Sequence, residues 1–193
     1  MSKLVNLSTL NHTEVVSVDG VFSSSGAEAV VTARNPDKLK QVVNAIAEYQ
    51  HFHFISDGSW SLHDLLLSII HHYARADVWI TTYSITQFPA SILAGMVDEG
   101  KIRQLKVLMD YRAKDRYPAV EQLMSNVSEL KLTPIHAKVF IIQNETDSLL
   151  IIGSANWTTN RRIEMGIVDK SRTTADKHIE WITKKMKDAD PFE

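Results

Sequence analysis

Four side chains with complementary chemistry lie at the outer ends of one pattern of apolar residues. His136 and Lys138 precede the apolar stretch 139–142, and a second apolar stretch, 149–152, ends in Gly-Ser-Ala-Asn at 153–156. Two such stretches around a polar turn predict a β-hairpin, whose outer ends lie side by side. Because side chains alternate along a strand, we expect the imidazole and the ammonium to lie on the same side.

This set of groups fits the cleavage of a phosphodiester. The imidazole of His136 is a nucleophile or a base. The ammonium of Lys138, the hydroxyl of Ser154 and the carboxamide of Asn156 can donate hydrogen bonds to phosphoryl oxygens, where negative charge builds up. The sequence therefore predicts a phosphate-directed site at one end of a buried sheet.

The composition is that of an ordinary globular chain. The 193 residues are 44% hydrophobic and 23% charged, which favours one domain with a sizeable core. The net charge of −2 gives no general attraction for a polyanion, so a nucleic-acid site must be a local patch. Cysteine is absent from the sequence, which excludes disulfides and thiolate chemistry. No apolar run reaches the ~18 residues of a membrane span, and the start lacks the apolar core of a signal peptide, so we expect a cytoplasmic protein.

The order of apolar patterns predicts an α/β fold. We expect residues 1–50 to form an N-terminal arm and helix of unclear role, and residues 51–193 to form the catalytic domain. Strands and helices alternate before the hairpin, which favours a mixed, largely parallel sheet with right-handed crossovers. The predicted strands are 77–83, 104–110, 129–133 and 163–169, and the predicted helices between them are 89–98 and 118–125.

His-x-Lys joined to Gly-Ser-x-Asn by two apolar strands resembles the signature of the phospholipase D superfamily. The strand ends at 83–86 (Tyr-Ser-Ile-Thr) and 109–110 (Met-Asp) resemble further positions of that family, so the resemblance covers residues 55–188. It implies a phospholipase D-like fold, in which a mixed, largely parallel sheet is flanked by helices on both faces. It also implies metal-independent cleavage of a phosphodiester through a phosphohistidine intermediate, without a cofactor.

The resemblance also implies roles for individual residues. His136 would be the nucleophile, Lys138, Ser154 and Asn156 would hold the phosphoryl oxygens, and Glu164 would hydrogen-bond the imidazole and fix its tautomer. Glu164 could instead form an ion pair with a neighbouring arginine. Where the family pattern has Asp, this chain has Gln143, and we expect that residue to be structural.

Basic and aromatic residues near the predicted site end are candidates for binding substrate. Basic side chains there could hold the phosphates that flank the scissile one, although charged loops are commonly just solvated. Trp157 could stack on a base or pack beneath the hairpin. The basic candidates are Arg112, Lys114, Arg116, Arg161 and Arg162.

A metal site and a single-chain active site are both disfavoured. His51 and His53 alternate as metal ligands could, but no third ligand is evident, so we predict no metal. The family's reaction takes two His-Lys motifs, and this chain has one. A homodimer with two-fold symmetry would bring two copies of His136 together.

Three functions remain open from the sequence. A metal-independent nuclease acting on DNA or RNA is the first prediction. The second prediction is a phospholipid phosphodiesterase. The sequence shows no membrane helix and no basic amphipathic helix that would support it. The third is a non-catalytic nucleic-acid-binding or assembly module with a degenerate site, and Gln143 favours it.

Overall fold

The computed structural model describes residues 21–24, 28–33, 37–58, 60–73, 75–116, 118–159 and 162–191. The helices are α1 (Asp37–Glu48), α2 (Leu62–Ile69), α3 (Gln87–Asp98), α4 (Pro118–Val127) and α5 (Arg172–Asp188). The strands are β1 (Val21–Ser24), β2 (Glu28–Ala33), β3 (His51–Asp57), β4 (Ala76–Thr82), β5 (Ile102–Asp110), β6 (Glu129–Thr133), β7 (Val139–Gln143), β8 (Ser148–Gly153), β9 (Ile163–Asp169) and β10 (Asp190–Pro191).

The ten strands within the described ranges form one sheet in the order β1-β2-β3-β9-β8-β7-β4-β5-β6-β10. Three neighbouring pairs are parallel, namely β2–β3, β4–β5 and β5–β6. The other neighbours are antiparallel. The predicted mixed α/β sheet is confirmed, with a smaller share of parallel pairs than the alternation of strands and helices indicated. The reason is that β7, β8 and β9 follow one another up and down between β3 and β4, in the middle of the sheet.

Helices cover both faces of the sheet, as predicted. Helices α1 to α4 lie on one face, and α5 packs on the other, against β4 and β8. Both faces of β7 are buried, which explains why residues 139–142 are all apolar. Phe140 and Ile142 join the core beneath α1 to α4 (the first core), whereas Val139 and Ile141 join the core beneath α5 (the second core). Each fully buried side chain of this size contributes about 1.5–3 kcal/mol of hydrophobic stabilisation. The fully buried helix residues include Val42, Leu65, Leu93 and Met124 on the first face and Ala175 and Ile182 on the second.

The segment before residue 51 takes part in the same sheet and core. Strand β2 pairs in parallel with β3, and β1 pairs with β2. Helix α1 packs against the first core through its buried face. None of the helices in the described part of the chain is long and apolar enough to cross a membrane.

Two apolar side chains remain exposed on β9. Ile163 is 70% exposed and Met165 is 57% exposed. Because alternate residues face opposite sides, and Val168 points into the first core, these two point to the face on which α5 lies. Helix α5 packs against β4 and β8, so this end of β9 lies beside the helix and not beneath it.

Candidate active site

One edge of the sheet collects the predicted site residues, because of the directions in which the strands run. Strands β4, β5 and β8 end at this edge, whereas β7 and β9 begin there. The segment that leads into β7 carries His136 and Lys138. The segment that follows β8 carries Ser154 and Asn156, and Glu164 is the second residue of β9.

His136 lies in the extended segment before β7, which begins at Val139. The alternation predicted for His136 and Lys138 requires a strand that already includes His136, whereas β7 begins three residues later. Thr81 of β4 holds this segment in place, since its Oγ1 donates to the carbonyl of Ala137 at 3.0 Å and accepts from the amide of Val139 at 3.0 Å. The imidazole itself is exposed, and its ring centroid lies 6.2 Å from that of Tyr83.

Lys138 folds back along the same segment. Its Nζ donates to the backbone carbonyl of His136 at 2.7 Å, which brings the ammonium beside the residue that carries the imidazole. Burial lowers the pKa of Lys138, and the negative charges of Glu164 and Asp110 partly oppose that effect. The ammonium is therefore a partly desolvated cation with two carboxylates in its surroundings.

Ser154 and Glu164 form a pair across the β8–β9 boundary. The Ser154 hydroxyl donates to Glu164 Oε2 and accepts from the amide of Met165 at 3.1 Å. The backbone of Ser154 also donates to the carbonyl of Met165 at 3.0 Å. Within the described part of the chain, the Glu164 carboxylate is hydrogen-bonded to Ser154 and not to His136.

Gly153 is needed for this close approach of β8 and β9. A Cβ at this position would lie 2.7 Å from the carbonyl oxygen of Met165, which is closer than real Cβ contacts. The same carbonyl accepts the Ser154 amide. A glycine therefore lets β8 end against β9, and this places the next residue, Ser154, beside Glu164.

Asn156 links the hairpin to β4. Its Oδ1 accepts from Thr82 Oγ1 at 3.2 Å and from the amide of Tyr83 at 3.1 Å. Both bonds use the oxygen, so the Nδ2 donors of Asn156 have no hydrogen-bond partner among the residues that the structure describes. The carboxamide is fixed in orientation and keeps its donor side available.

Trp157 packs in the core and does not face the site. It is 1% exposed, and its ring meets that of Phe140 edge to face at a centroid distance of 5.1 Å. Its carbonyl accepts the amide of Thr86 at 2.9 Å, which joins the hairpin end to the start of α3. Of the two interpretations of Trp157, packing is correct and base stacking is wrong, because a buried indole has no face to offer a base.

Asp110 is the residue of this edge that sequence reasoning missed as a member of the site. Its carboxylate is fully buried and accepts from Arg112 Nε and Nη2, both at 2.8 Å. It also accepts the backbone amide of Arg112 at 2.9 Å and that of Ile135 at 3.0 Å. These hydrogen bonds, with that of the Arg112 side chain foremost, lower the pKa of Asp110 to about 2. The available signal was an Asp at a strand end followed two residues later by Arg.

Arg112 is half exposed and lies between two aromatic rings. Its Cζ is 5.4 Å from the Tyr83 ring centroid and 5.9 Å from that of Tyr111. Hydrogen bonding to Asp110 raises the pKa of Arg112, so the guanidinium carries a permanent charge. Of the basic residues predicted to flank the site, Arg112 lies beside it, because Arg112 contacts the Tyr83 ring and Tyr83 is next to His136.

The remaining basic candidates are described only in part. The backbone of Lys114 and Arg116 belongs to a 3-10 helix at Tyr111–Arg116, and their side chains lie outside the described residues. Arg161 also lies outside the described residues. Arg162 is exposed and directly precedes β9, at the same edge as Glu164.

Gln143 lies at the other end of β7 from His136. Its Nε2 donates to Asp176 Oδ1 of α5 at 2.8 Å, which joins the hairpin turn to the helix. The residue thus has a local contact that accounts for it without reference to the site edge. Among the described residues, no group of three or more His, Cys, Asp or Glu side chains is arranged to hold a metal ion.

The fold is that of a phospholipase D-like domain. The family model described as "Cardiolipin synthase, PLD-like domain" matches residues 66–186, and the chain belongs to this family. That range includes His136, Lys138, Ser154, Asn156 and Glu164.

Solved structures share the fold at low sequence identity. NucT from Helicobacter pylori is 19% identical with a TM-score of 0.55, over 73% of this chain and 99% of that one. Polyphosphate kinase from Porphyromonas gingivalis is 10% identical with a TM-score of 0.52, over 70% of this chain and 22% of the kinase. TrmBL2, an archaeal chromatin protein described as showing a novel mode of DNA binding, is 11% identical with a TM-score of 0.51, over 80% and 60% of the two chains. No curated protein matches this sequence.

Proposed function

We propose that this protein is a metal-independent phosphodiesterase that cleaves nucleic acid through a phosphohistidine in a site shared by two copies of the chain. The observation that carries the proposal is the edge itself, where the segment of His136 and Lys138 lies beside Ser154, Asn156 and Glu164 in a phospholipase D-like domain. Each chain supplies one such histidine, which is half of what a two-histidine reaction needs.

The first chemical step is attack by one imidazole. A neutral His136 nitrogen bonds to phosphorus, the bond from phosphorus to one ester oxygen breaks, and that oxygen takes a proton from the protonated His136 of the second copy. In the second step water attacks phosphorus and the phosphorus–nitrogen bond breaks. The now neutral imidazole of the second copy takes the proton from that water. The products are a phosphomonoester and an alcohol.

Two donors of each chain are suited to the phosphoryl oxygens. Lys138 is held beside His136 by its bond to the His136 carbonyl, and its ammonium can move from that carbonyl to an anionic oxygen. Asn156 is oriented through its oxygen, which leaves Nδ2 to donate. Because such donors are fixed before the reaction, they stabilise the charge that develops in the transition state.

Ser154 and Glu164 act as one unit in this proposal. The serine hydroxyl donates to the glutamate, so it fixes the carboxylate and not the phosphate. We expect the Glu164 carboxylate to orient the imidazole and stabilise the imidazolium once substrate and the second copy are present.

The exposed end of β9 supports a second copy at this edge. Ile163 and Met165 are 70% and 57% exposed, and they stand on either side of Glu164 in the sequence. Apolar side chains of this size at the rim of a half-site are suited to cover by a partner. A two-fold arrangement would bury Ile163 and Met165 of both copies in one interface. It would also bring the two copies of His136 to one phosphate.

A non-catalytic nucleic-acid-binding module is the second candidate, and Gln143 was its argument. The hydrogen bond to Asp176 gives Gln143 a structural role at the end of β7 away from the site. Gln143 therefore no longer favours a degenerate site. The same domain without catalysis would bind nucleic acid and leave it intact.

One assay separates these functions. The protein is incubated in excess chelator with DNA, RNA, an anionic phospholipid and a dye phosphodiester, beside His136→Ala and the matched control His71→Ala, an exposed histidine after α2. We expect cleavage of nucleic acid and dye by the wild type and the control, and none by His136→Ala. Binding without cleavage favours the second candidate, cleavage of the phospholipid alone favours a lipid enzyme, and full activity of His136→Ala refutes the mechanism.

A further inference from the structure

A row of rings and one guanidinium leads away from His136 along the site edge. The Tyr83 ring is 6.2 Å from that of His136, Arg112 Cζ is 5.4 Å from the Tyr83 ring, and the Tyr111 ring is 5.9 Å from the same Cζ. The row therefore begins at the reactive imidazole and ends at Tyr111.

The row is rigid at its centre and open at its outer end. The buried carboxylate of Asp110 holds Arg112 through two side-chain bonds and one backbone bond, which fixes the plane of the guanidinium. The side chain of Arg112 is nevertheless 55% exposed, and Tyr111 is 51% exposed. About half of each side chain is therefore accessible to a ligand at the outer end of the row.

We propose that Tyr111 and Arg112 form a stacking platform for an unpaired nucleobase, which makes single-stranded nucleic acid the substrate class. The proposal rests on the nuclease function above and names its substrate. Stacking on an aromatic ring or a guanidinium accepts any base, because every base has a π-face. A base inside a duplex already stacks on its neighbours and is paired, so it reaches such a platform only after it has been extruded.

Tyr111 is the residue that distinguishes base stacking from phosphate binding. A guanidinium such as that of Arg112 binds the phosphates of single strands and duplexes alike, since its charge and donors match any phosphate. The Tyr111 ring carries no charge, so its contribution depends on a base with an accessible face. Removing the ring should therefore affect only ligands that have free bases.

The test is a binding measurement on the 193-residue chain carrying His136→Ala, so that the oligonucleotides stay intact. Fluorescence anisotropy compares a short single strand, an abasic strand of equal length and the corresponding duplex. Tyr111→Ser should weaken binding of the base-bearing single strand about tenfold, whereas Tyr111→Phe, which keeps the ring, should retain its affinity. Leu67→Ser is the matched control, because Leu67 is 48% exposed on α2 and its removal should change none of the three affinities.

The expected pattern is a base-bearing single strand bound more tightly than both other ligands, with an effect of Tyr111→Ser on that strand alone. Equal affinity for the base-bearing and abasic strands, or a duplex bound as tightly as the single strand, would overturn the platform. An equal loss in Leu67→Ser would overturn it as well. The dye phosphodiester has no base, so failure of the wild type to hydrolyse it counts against the phosphodiesterase and not against the platform.

Discussion

Replacing Asp110 with asparagine tests how the site edge is held together. The carboxylate is fully buried and accepts the side chain and backbone of Arg112 and the amide of Ile135, the residue before His136. Asp110→Asn keeps the shape but removes the charge, and it turns an amide N–H group toward a donor. We expect this substitution to lower the free energy of unfolding and to displace His136.

The magnitude follows from the pKa. Lowering the pKa of Asp110 from 3.8 to about 2 corresponds to about 2 kcal/mol of stability at neutral pH. Because Arg112 is half exposed, water replaces its lost partner, so we expect a total loss of ~2–3 kcal/mol, below the ~3–5 kcal/mol of a fully buried pair. A displaced His136 should lower kcat by about 10- to 100-fold.

The pH dependence has a defined sign. Since the folded-state pKa is lowered, this contribution is complete above the unfolded value of 3.8 and is lost as the pH falls toward about 2. The difference in unfolding free energy between wild type and Asp110→Asn should therefore be largest at pH 7 and shrink below about pH 4. Urea unfolding at pH 7, 5 and 3 measures this difference, with kcat and KM measured at pH 7.

Asp77→Asn is the matched control for this experiment. Asp77 accepts a similar two-bond contact from Arg103, at 2.8 and 2.7 Å, but at the opposite end of β4 from the site. Its loss should cost less than about 1 kcal/mol, since the pair is solvated, and should leave kcat unchanged. A stability difference for Asp110→Asn that is the same at pH 7 and pH 3, or a kcat equal to that of the wild type, would refute the reasoning.

Three further substitutions test other parts of the account. Met165→Glu should shift a dimer to monomers in sedimentation velocity and lower activity in parallel; a variant that remains dimeric contradicts the proposed interface. Gly153→Ala should lower the free energy of unfolding by about 1–3 kcal/mol, because the new Cβ would clash with the carbonyl of Met165. The control Gly95→Ala in α3 should raise the free energy of unfolding by up to about 1 kcal/mol, because a Cβ there has no atom within 4 Å. Gln143→Asp should change kcat by less than about tenfold, or ~1.4 kcal/mol, while repulsion from Asp176 lowers the melting temperature; a hundredfold gain in kcat would show that Gln143 limits catalysis.

Local patterns were sufficient to predict most elements. Strands β6 and β9 have the predicted bounds, 129–133 and 163–169, because apolar or alternating runs end at turn residues there. The hairpin of β7 and β8 followed from two apolar runs around a polar turn. Ser61 and Asp64 have the spacing of a capping box, and in the structure the Ser61 amide donates to Asp64 Oδ2 at 2.9 Å at the start of α2.

Long-range contacts could not be predicted in the same way. The bond between Asn156 and Thr82 joins residues 74 positions apart, and that between Asp110 and Ile135 joins residues 25 apart. A strand-end carboxylate looks the same in sequence whether it is buried or solvated, so the role of Asp110 needed the structure. Trp157 fitted both packing and stacking by residue type, and only its burial distinguished the two.

The order of strands in the sheet could not be predicted from the sequence either. The alternation of strands and helices predicts parallel pairs, and β4, β5 and β6 form them. The sequence does not reveal that the hairpin and β9 enter the middle of the sheet, since their partners β3 and β4 are far away along the chain.

The central claim, that His136 attacks phosphorus without a metal, is tested most directly by trapping the intermediate. The protein is mixed with labelled substrate in excess chelator, quenched within one turnover, and the labelled peptide is identified by mass spectrometry. We predict an acid-labile phosphate on His136, absent from His136→Ala, whose cleavage rate should fall by more than about a thousandfold. Cleavage that needs an added divalent metal, or a label on another residue with His136→Ala still active, would contradict the claim.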